Sequence, residues 1–354
     1  MATSNRTKNI IYSLALVAVF LLVQLYRSYY SPQGIKESIK LEESLIHLQG
    51  TTMGVVAYNV KYIDSLKRDF QPEIDTLLKA FNQSLSTYVP DSEISRFNRQ
   101  DSLEIKSRFF YPVLKASQEV YQNTEGAFDP TVAPLVNAWG FGFKKESLPT
   151  AARIDSLKAL IGYDYITFNK QKIIKKKSKV MLDMSAVAKG YAVDVVADLL
   201  AEKGIKNYFV EIGGEIVCKG KNERDELWTL GITNPRYKEA GQAQAFKLVK
   251  IENKAMATSG NYENYHVIEG KRYAHTINPQ TGYPIEHSLK SASVFAPDCM
   301  RADAYATAFM VLGFEKSKEI LAKTPNLDAY LIYEDEKGNL IGFATEGIKA
   351  FIVE

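Results

Sequence analysis

Apolar positions along the chain follow two periods. Ile74, Leu77, Leu78, Phe81 and Leu85 recur at the spacing of one helix face, which predicts a helix over 72–85. Val113, Leu114, Ser117, Val120 and Tyr121 predict a second over 111–122. Ala188, Ala192, Val195, Val196 and Leu199 form the buried stripe of a third over 185–202, closed by Gly204. A fourth covers 302–312 and stops at Gly313. Strand character covers 47–60, broken at Met53-Gly54, then 208–219 and 226–233. The tail reads as a hairpin, 328–334 and 339–344, turning at Lys337-Gly338-Asn339. Strands come in runs rather than in βαβ alternation, so the expected class is α+β with mainly antiparallel sheets and packed helices. No linker interrupts 48–354, which is read as one unit.

The first residues follow another pattern. Arg6 and Lys8 precede an apolar run over 10–26 that only Ser13 and Gln24 interrupt. At ~1.5 Å per residue such a run just crosses a hydrocarbon core of ~30 Å if its flanks help. Tyr26, Tyr29 and Tyr30 suit the headgroup level. Residues 1–9 are then a cytoplasmic flank, 10–26 an uncleaved signal anchor and 27–47 a polar linker. A cleaved signal peptide and a core helix remain as alternatives. The likeness to a secretory signal places the main unit at the inner membrane, on its periplasmic, extracytoplasmic side.

Composition narrows the function classes. The 354 residues are 46% hydrophobic and 24% charged, ample for a core without metal or disulfide staples. Lys and Arg total 44 against 41 acids, and the one basic run, 170–179, reads as a solvated hairpin or strand end. Nucleic acid is therefore not an expected partner. Cys218 and Cys299, and the histidines at 47, 266, 275 and 287, show no zinc or redox spacing. Any metal should be a hard cation held by oxygen.

Five segments spend acids, glycines and hydroxyls in ways a plain core does not need. Asp303 and Thr307, four apart, share one helix face and could form part of a Mg2+ shell, or Asp303 could simply charge the first helical turn. Asp183 ends a strand before a helix start near Ser185, where backbone N–H groups and Lys189 could meet an anion; a capped helix is the plainer reading. Gly213-Gly214, between Glu211 and Glu215, marks a bulge or a close backbone approach inside a strand. Thr258-Ser259-Gly260 is followed by His275, Ile277 and the rigid turn 279–284, so His275 could be a base or a structural histidine. Ala127-Phe128-Asp129, followed by Trp139-Gly140-Phe141, could stack on a ring system or pack a loop. No Walker-type or Gly-x-Gly-x-x-Gly sequence is present.

These segments occur in register with Thr52-Met53-Gly54, with Ser86-Thr-Tyr88 through Asn98, and with Ser293-Val294-Phe-Ala-Pro297. Together, from about residue 49 onward, they resemble the FAD:protein FMN transferase family, also called the ApbE family. The resemblance implies an ApbE-like, T-fold-like catalytic unit that moves FMN from FAD to a Thr or Ser hydroxyl of an acceptor flavoprotein, such as a redox-pump subunit, releasing AMP. It leaves open a FAD pyrophosphatase or a non-catalytic FAD-binding protein. It further implies flavin contacts at Met53, Tyr88, Ala127, Phe128 and Asp129, and cofactor contacts at Asp183, Lys189 and Ile277. Gly213, Gly214, Thr258, Ser259 and Gly260 would line the nucleotide. Mg2+ would be held by the Ala186 carbonyl, Asp303 and Thr307, with His275 as the base.

Overall fold

The computed structural model describes residues 19–26, 44–141, 148–239, 241–262, 265–268 and 271–353. Residues 19–26 are helical, and no helix among the described residues is long and apolar enough to cross a membrane. The rest of the segment read as an anchor lies outside the described residues, as do 27–43 of the linker.

The centre is an eight-stranded sheet in the order β1-β2-β6-β7-β10-β13-β14-β15, with every neighbouring pair antiparallel. Its strands are β1 (Leu45–Thr52), β2 (Val56–Ile63), β6 (Tyr208–Ile212), β7 (Glu215–Lys219), β10 (Lys254–Gly260), β13 (Leu289–Ala296), β14 (Asp328–Glu334) and β15 (Leu340–Ala344). Small sheets join β3 (Ser102–Glu104), β5 (Lys172–Lys175) and β4 (Ile166–Phe168), and β16 (Ile352–Val353), β9 (Ala245–Ile251) and β8 (Trp228–Thr233). A separate hairpin pairs β11 (Tyr265–Ile268) with β12 (Lys271–Ala274). The basic run falls on β5 and the turn after it, where the buried Lys175 ammonium donates to the Asn98 carbonyl at 3.1 Å.

Both faces of the large sheet are covered, and strand alternation sorts the side chains between them. On β10 and β14, Ala255, Ala257, Ala329 and Leu331 point to the helical core, whereas Met256, Tyr330 and Ile332 join Trp228 and Val249 in a second core under β8 and β9. Covered faces on both sides leave every residue of β13 except Lys290 buried, including the small polar Ser291 and Ser293. The helices are α1 (Gln71–Leu85), α2 (Glu93–Arg99), α3 (Phe110–Asn123), α4 (Ala133–Ala138), α5 (Ala151–Lys158), α6 (Ala188–Glu202), α7 (Cys299–Leu312), α8 (Phe314–Lys323) and α9 (Glu346–Lys349). α7 packs on β10 and β13, and all three elements contribute alanines to the shared core, small side chains that let the helix lie close on the sheet.

Several sequence boundaries shift. The strand read over 208–219 is two strands, and Gly213-Gly214 is their two-residue turn, not a bulge within one strand. Both glycines have positive φ, 62° and 97°, as a type I′ turn requires. α6 begins at Ala188 instead of 185, because the Asp183 carboxylate accepts from the Ser185 N–H and turns the chain first. α7 begins at Cys299 instead of 302, capped by Asp298, which accepts from the Arg301 N–H at 2.9 Å. Asp303 is therefore beyond the first turn and 3% exposed, which overturns the dipole-charging alternative. β8 starts at Trp228, two residues later than read.

Candidate active site

The site forms where α6 and α7 cross. Gly190 makes the crossing possible, since a Cβ there would lie 2.2 Å from the Cys299 carbonyl oxygen and 2.8 Å from Asp303 Cβ. With no side chain between them, the Gly190 N–H donates to Asp303 Oδ2 at 3.0 Å. Asp194, one turn further along α6, accepts from the N–H groups of Cys299 and Met300, both at 2.8 Å. These are open donors of the α7 N-terminus, so one helix caps the other. Arg301 adds a two-bond fork onto Glu119 of α3, at 3.0 and 2.7 Å. Together these contacts fix the pitch of α7 and aim Asp303 at the gap beside the β6–β7 turn.

That gap is a cleft of about 520 Å³, within the roughly 300–1,000 Å³ common for small-molecule sites. Asp303, Thr307, Ala186, Asp183 and Lys189 line one side. Gly213, Glu215, Thr258, Ser259 and Gly260 line the sheet side. Ala127, Phe128, Asp129, His275 and Ile277 complete it. The expected residues that do not form part of this wall are Met53, Tyr88 and Gly214. Tyr88 is 78% exposed, and Met53 sits at φ 49° in the β1–β2 turn.

Local contacts explain the placement of each segment. The segment before Asp183, read from sequence as a strand, forms none; Asn98 holds it instead, donating to the Leu182 carbonyl and accepting from the Leu182 N–H, both at 2.8 Å. The loop after His275 is pinned by Asn278, which accepts from the N–H groups of Gln280 and Thr281, and by Trp139, whose Nε1 donates to the Gly282 carbonyl at 2.8 Å. The His275 ring meets Phe141 edge to face at 6.4 Å between centroids. Ser259 Oγ lies 3.3 Å from Thr307 Oγ1, tying β10 to α7 at the cleft.

The ionisable groups that interact here are two buried acids, Glu215 and Asp303, and one ammonium, Lys189. Lys189 is paired with Glu215, and both it and Glu215 feel the Asp303 carboxylate. Burial raises the Glu215 carboxyl to about 8, with Asp303 adding to the rise and Lys189 opposing it. Burial also raises Asp303, against Lys189 and the Gly190 N–H. Burial alone would lower the Lys189 ammonium, but the two carboxylates outweigh it and hold it above its usual range. Glu215 Oε2 is buried without a hydrogen-bond partner among the described residues. Two buried acids facing one ammonium fit a hard divalent cation, which would stabilise both ionised carboxylates. No group of three or more His, Cys, Asp or Glu that could hold a metal lies among the described residues; the oxygen donors on the cleft wall include Asp303, Thr307 and Ala186.

Glu215 and Asp194 carry much of this arrangement, yet the sequence reading gave neither a role. Glu215 follows a glycine pair and opens an apolar strand; Asp194 interrupts the apolar run of α6. An acid in such a position was the available signal.

A family model described as the ApbE family matches residues 49–331. The FAD:protein FMN transferase of Haemophilus influenzae is 40% identical over 324 residues, covering 88% of this chain and 91% of that protein. That of Vibrio cholerae is 38% identical over 315 residues, covering 87% and 92%. The solved flavin transferase ApbE from Vibrio cholerae superposes with a TM-score of 0.79 at 37% identity, covering 87% of this chain and 99% of the other. The apo Pseudomonas stutzeri flavinyl transferase ApbE gives 0.78 at 32% identity, covering 87% and 96%.

Proposed function

The chain belongs to the ApbE family and is an FAD:protein FMN transferase, and we propose that it works with Mg2+ held by Asp303, Thr307 and the Ala186 carbonyl. The observation that carries this reading is the convergence of those three residues, Lys189 and His275 on one cleft.

FAD joins FMN to AMP through a diphosphate. In the transfer, an acceptor hydroxyl oxygen attacks the FMN phosphorus. The bond from that phosphorus to the bridging oxygen breaks, and AMP leaves with the electron pair. The hydroxyl proton goes to a base, a role suited to the His275 ring in the cleft wall. Bound Mg2+ would supply charge neutralisation at the diphosphate and at the leaving phosphate. Lys189 adds a cation to the same wall and is oriented by Glu215. The Phe128 and Ala127 loop gives an apolar boundary suited to a flavin ring. Positioning and fixed charge supply most of the acceleration in this kind of chemistry.

The partner is read as an acceptor flavoprotein with a Thr or Ser target, and the apolar run over 10–26 as the anchor that keeps the enzyme at the membrane. Release of AMP from FAD, followed with and without an acceptor domain, tests the reaction. Release that requires both Mg2+ and acceptor supports transfer. Equally fast release without acceptor would assign the protein to FAD hydrolysis instead.

A further inference from the structure

A second cavity of about 910 Å³ lies outside the cleft, between β1 and α1. Its strand wall is Gln49, Gly50 and Thr51, and its helix wall includes Gln71, Asp75 and Lys79. β1 is an outer strand of the large sheet, with β2 as its one strand neighbour among the described residues. Exposed edges are usually blunted by Lys, Pro, a bulge or short length. β1 has none of these: its eight residues hold no Lys, Arg, Asp, Glu or Pro, and its ladder with β2 runs without a register shift.

The groove is preformed. A Cβ on Gly50 would lie 2.4 Å from the Tyr58 hydroxyl oxygen, so glycine leaves room for that ring to form the floor. The Tyr58 hydroxyl donates to Asp75 and accepts from Gln71, and Asn82 Nδ2 donates to Thr52 Oγ1 at 3.0 Å. Strand and helix are thus held apart at a fixed spacing. An edge strand beside a helix, with an open groove between, is a geometry that takes an extended peptide by strand addition.

The groove also leads to the reaction site. Thr52, in its wall, pairs with Val56 across the β1–β2 turn, and Val56 lines the cleft. Between them Val55 is 90% exposed, an apolar side chain on the rim. The reaction requires a segment of another protein to reach this cleft. We propose that an extended segment of the acceptor flavoprotein adds to β1 in this groove and carries its Thr or Ser hydroxyl over the turn into the cleft. The inference rests on the transferase reading. Main-chain pairing would supply sequence-tolerant affinity, and Asp75 and Lys79 would supply charge selection along the helix wall.

The test uses the full chain and a purified redox-pump acceptor domain with one Thr or Ser target. Flavinylation kinetics are measured for Gln49→Lys/Thr51→Lys, which blunts the edge, and for Gln83→Trp, which fills the groove. Both variants should raise KM for the acceptor on the order of tenfold, while KM for FAD stays unchanged. Amide exchange over 45–52 should slow when acceptor is added. An unchanged acceptor KM in both variants overturns the proposal. So does slowing of the same amides by higher enzyme concentration alone, which would make a second copy the occupant. Absence of flavinylation by the unaltered enzyme would instead count against the transferase reading.

Discussion

At the residue scale, burial sets the chemistry. Asp129 is buried, and its carboxyl accepts from the Thr131 N–H at 2.8 Å and the Thr131 hydroxyl at 2.6 Å. Burial outweighs those bonds and raises the carboxyl to about 6. In the unfolded chain it would titrate near ~3.9. The folded state's extra proton affinity favours folding below about pH 4 and is lost as pH rises through 6. Asp129→Asn keeps an oxygen acceptor and has no proton to lose. Thermal melts from pH 4 to 8 should show the variant gaining stability over the parent up to about pH 6, then levelling, by on the order of 3 kcal/mol. A difference constant with pH would contradict this. His275→Ala should retain FAD binding, measured by fluorescence titration, while transfer at saturating substrate slows by about 10²–10⁴. The acid–hydroxyl pair of Asp303 and Thr307 was legible in sequence because helix spacing alone aligns them. The pairing of Glu215 was not legible, because its partner Lys189 is 26 residues away in the chain.

At the element scale, α7 is positioned by its neighbours more than by its own residues. Asp194 satisfies two N–H groups at the start of α7, and removing it leaves them buried beside an apolar crossing. Asp194→Ala should destabilise the protein by about 1–3 kcal/mol in denaturant melts and weaken Mg2+ binding in calorimetric titration, because α7 carries Asp303. A destabilised variant with full Mg2+ affinity would separate the cap from the site. Helix faces were readable from periodicity, and Phe81, Val113 and Val196 are buried as that pattern requires. Helix starts were less so. They depend on which side chain takes the first free N–H, Asp183 before α6 and Asp298 before α7.

At the scale of the whole molecule, the α+β class and the antiparallel sheet followed from the order of strand-like runs. The strand order did not, because β10 pairs with β7 and β13 across long stretches of chain that local pattern does not encode. Both cores lie within 44–353, so a chain beginning at residue 44 should fold and transfer flavin within about twofold of the full rate, while losing membrane association in fractionated cells. Loss of activity on truncation would give the first 43 residues a part in the site. The central claim is that Asp303 holds a divalent cation against the diphosphate of FAD while a protein hydroxyl takes the FMN. The most direct measurement is intact-mass spectrometry of an acceptor domain after incubation with enzyme, FAD and Mg2+. The expected result is a mass gain of one FMN unit on a Thr or Ser, absent without Mg2+ and nearly absent with Asp303→Ala. An acceptor left at its original mass while FAD is consumed, or full labelling by Asp303→Ala, would contradict it.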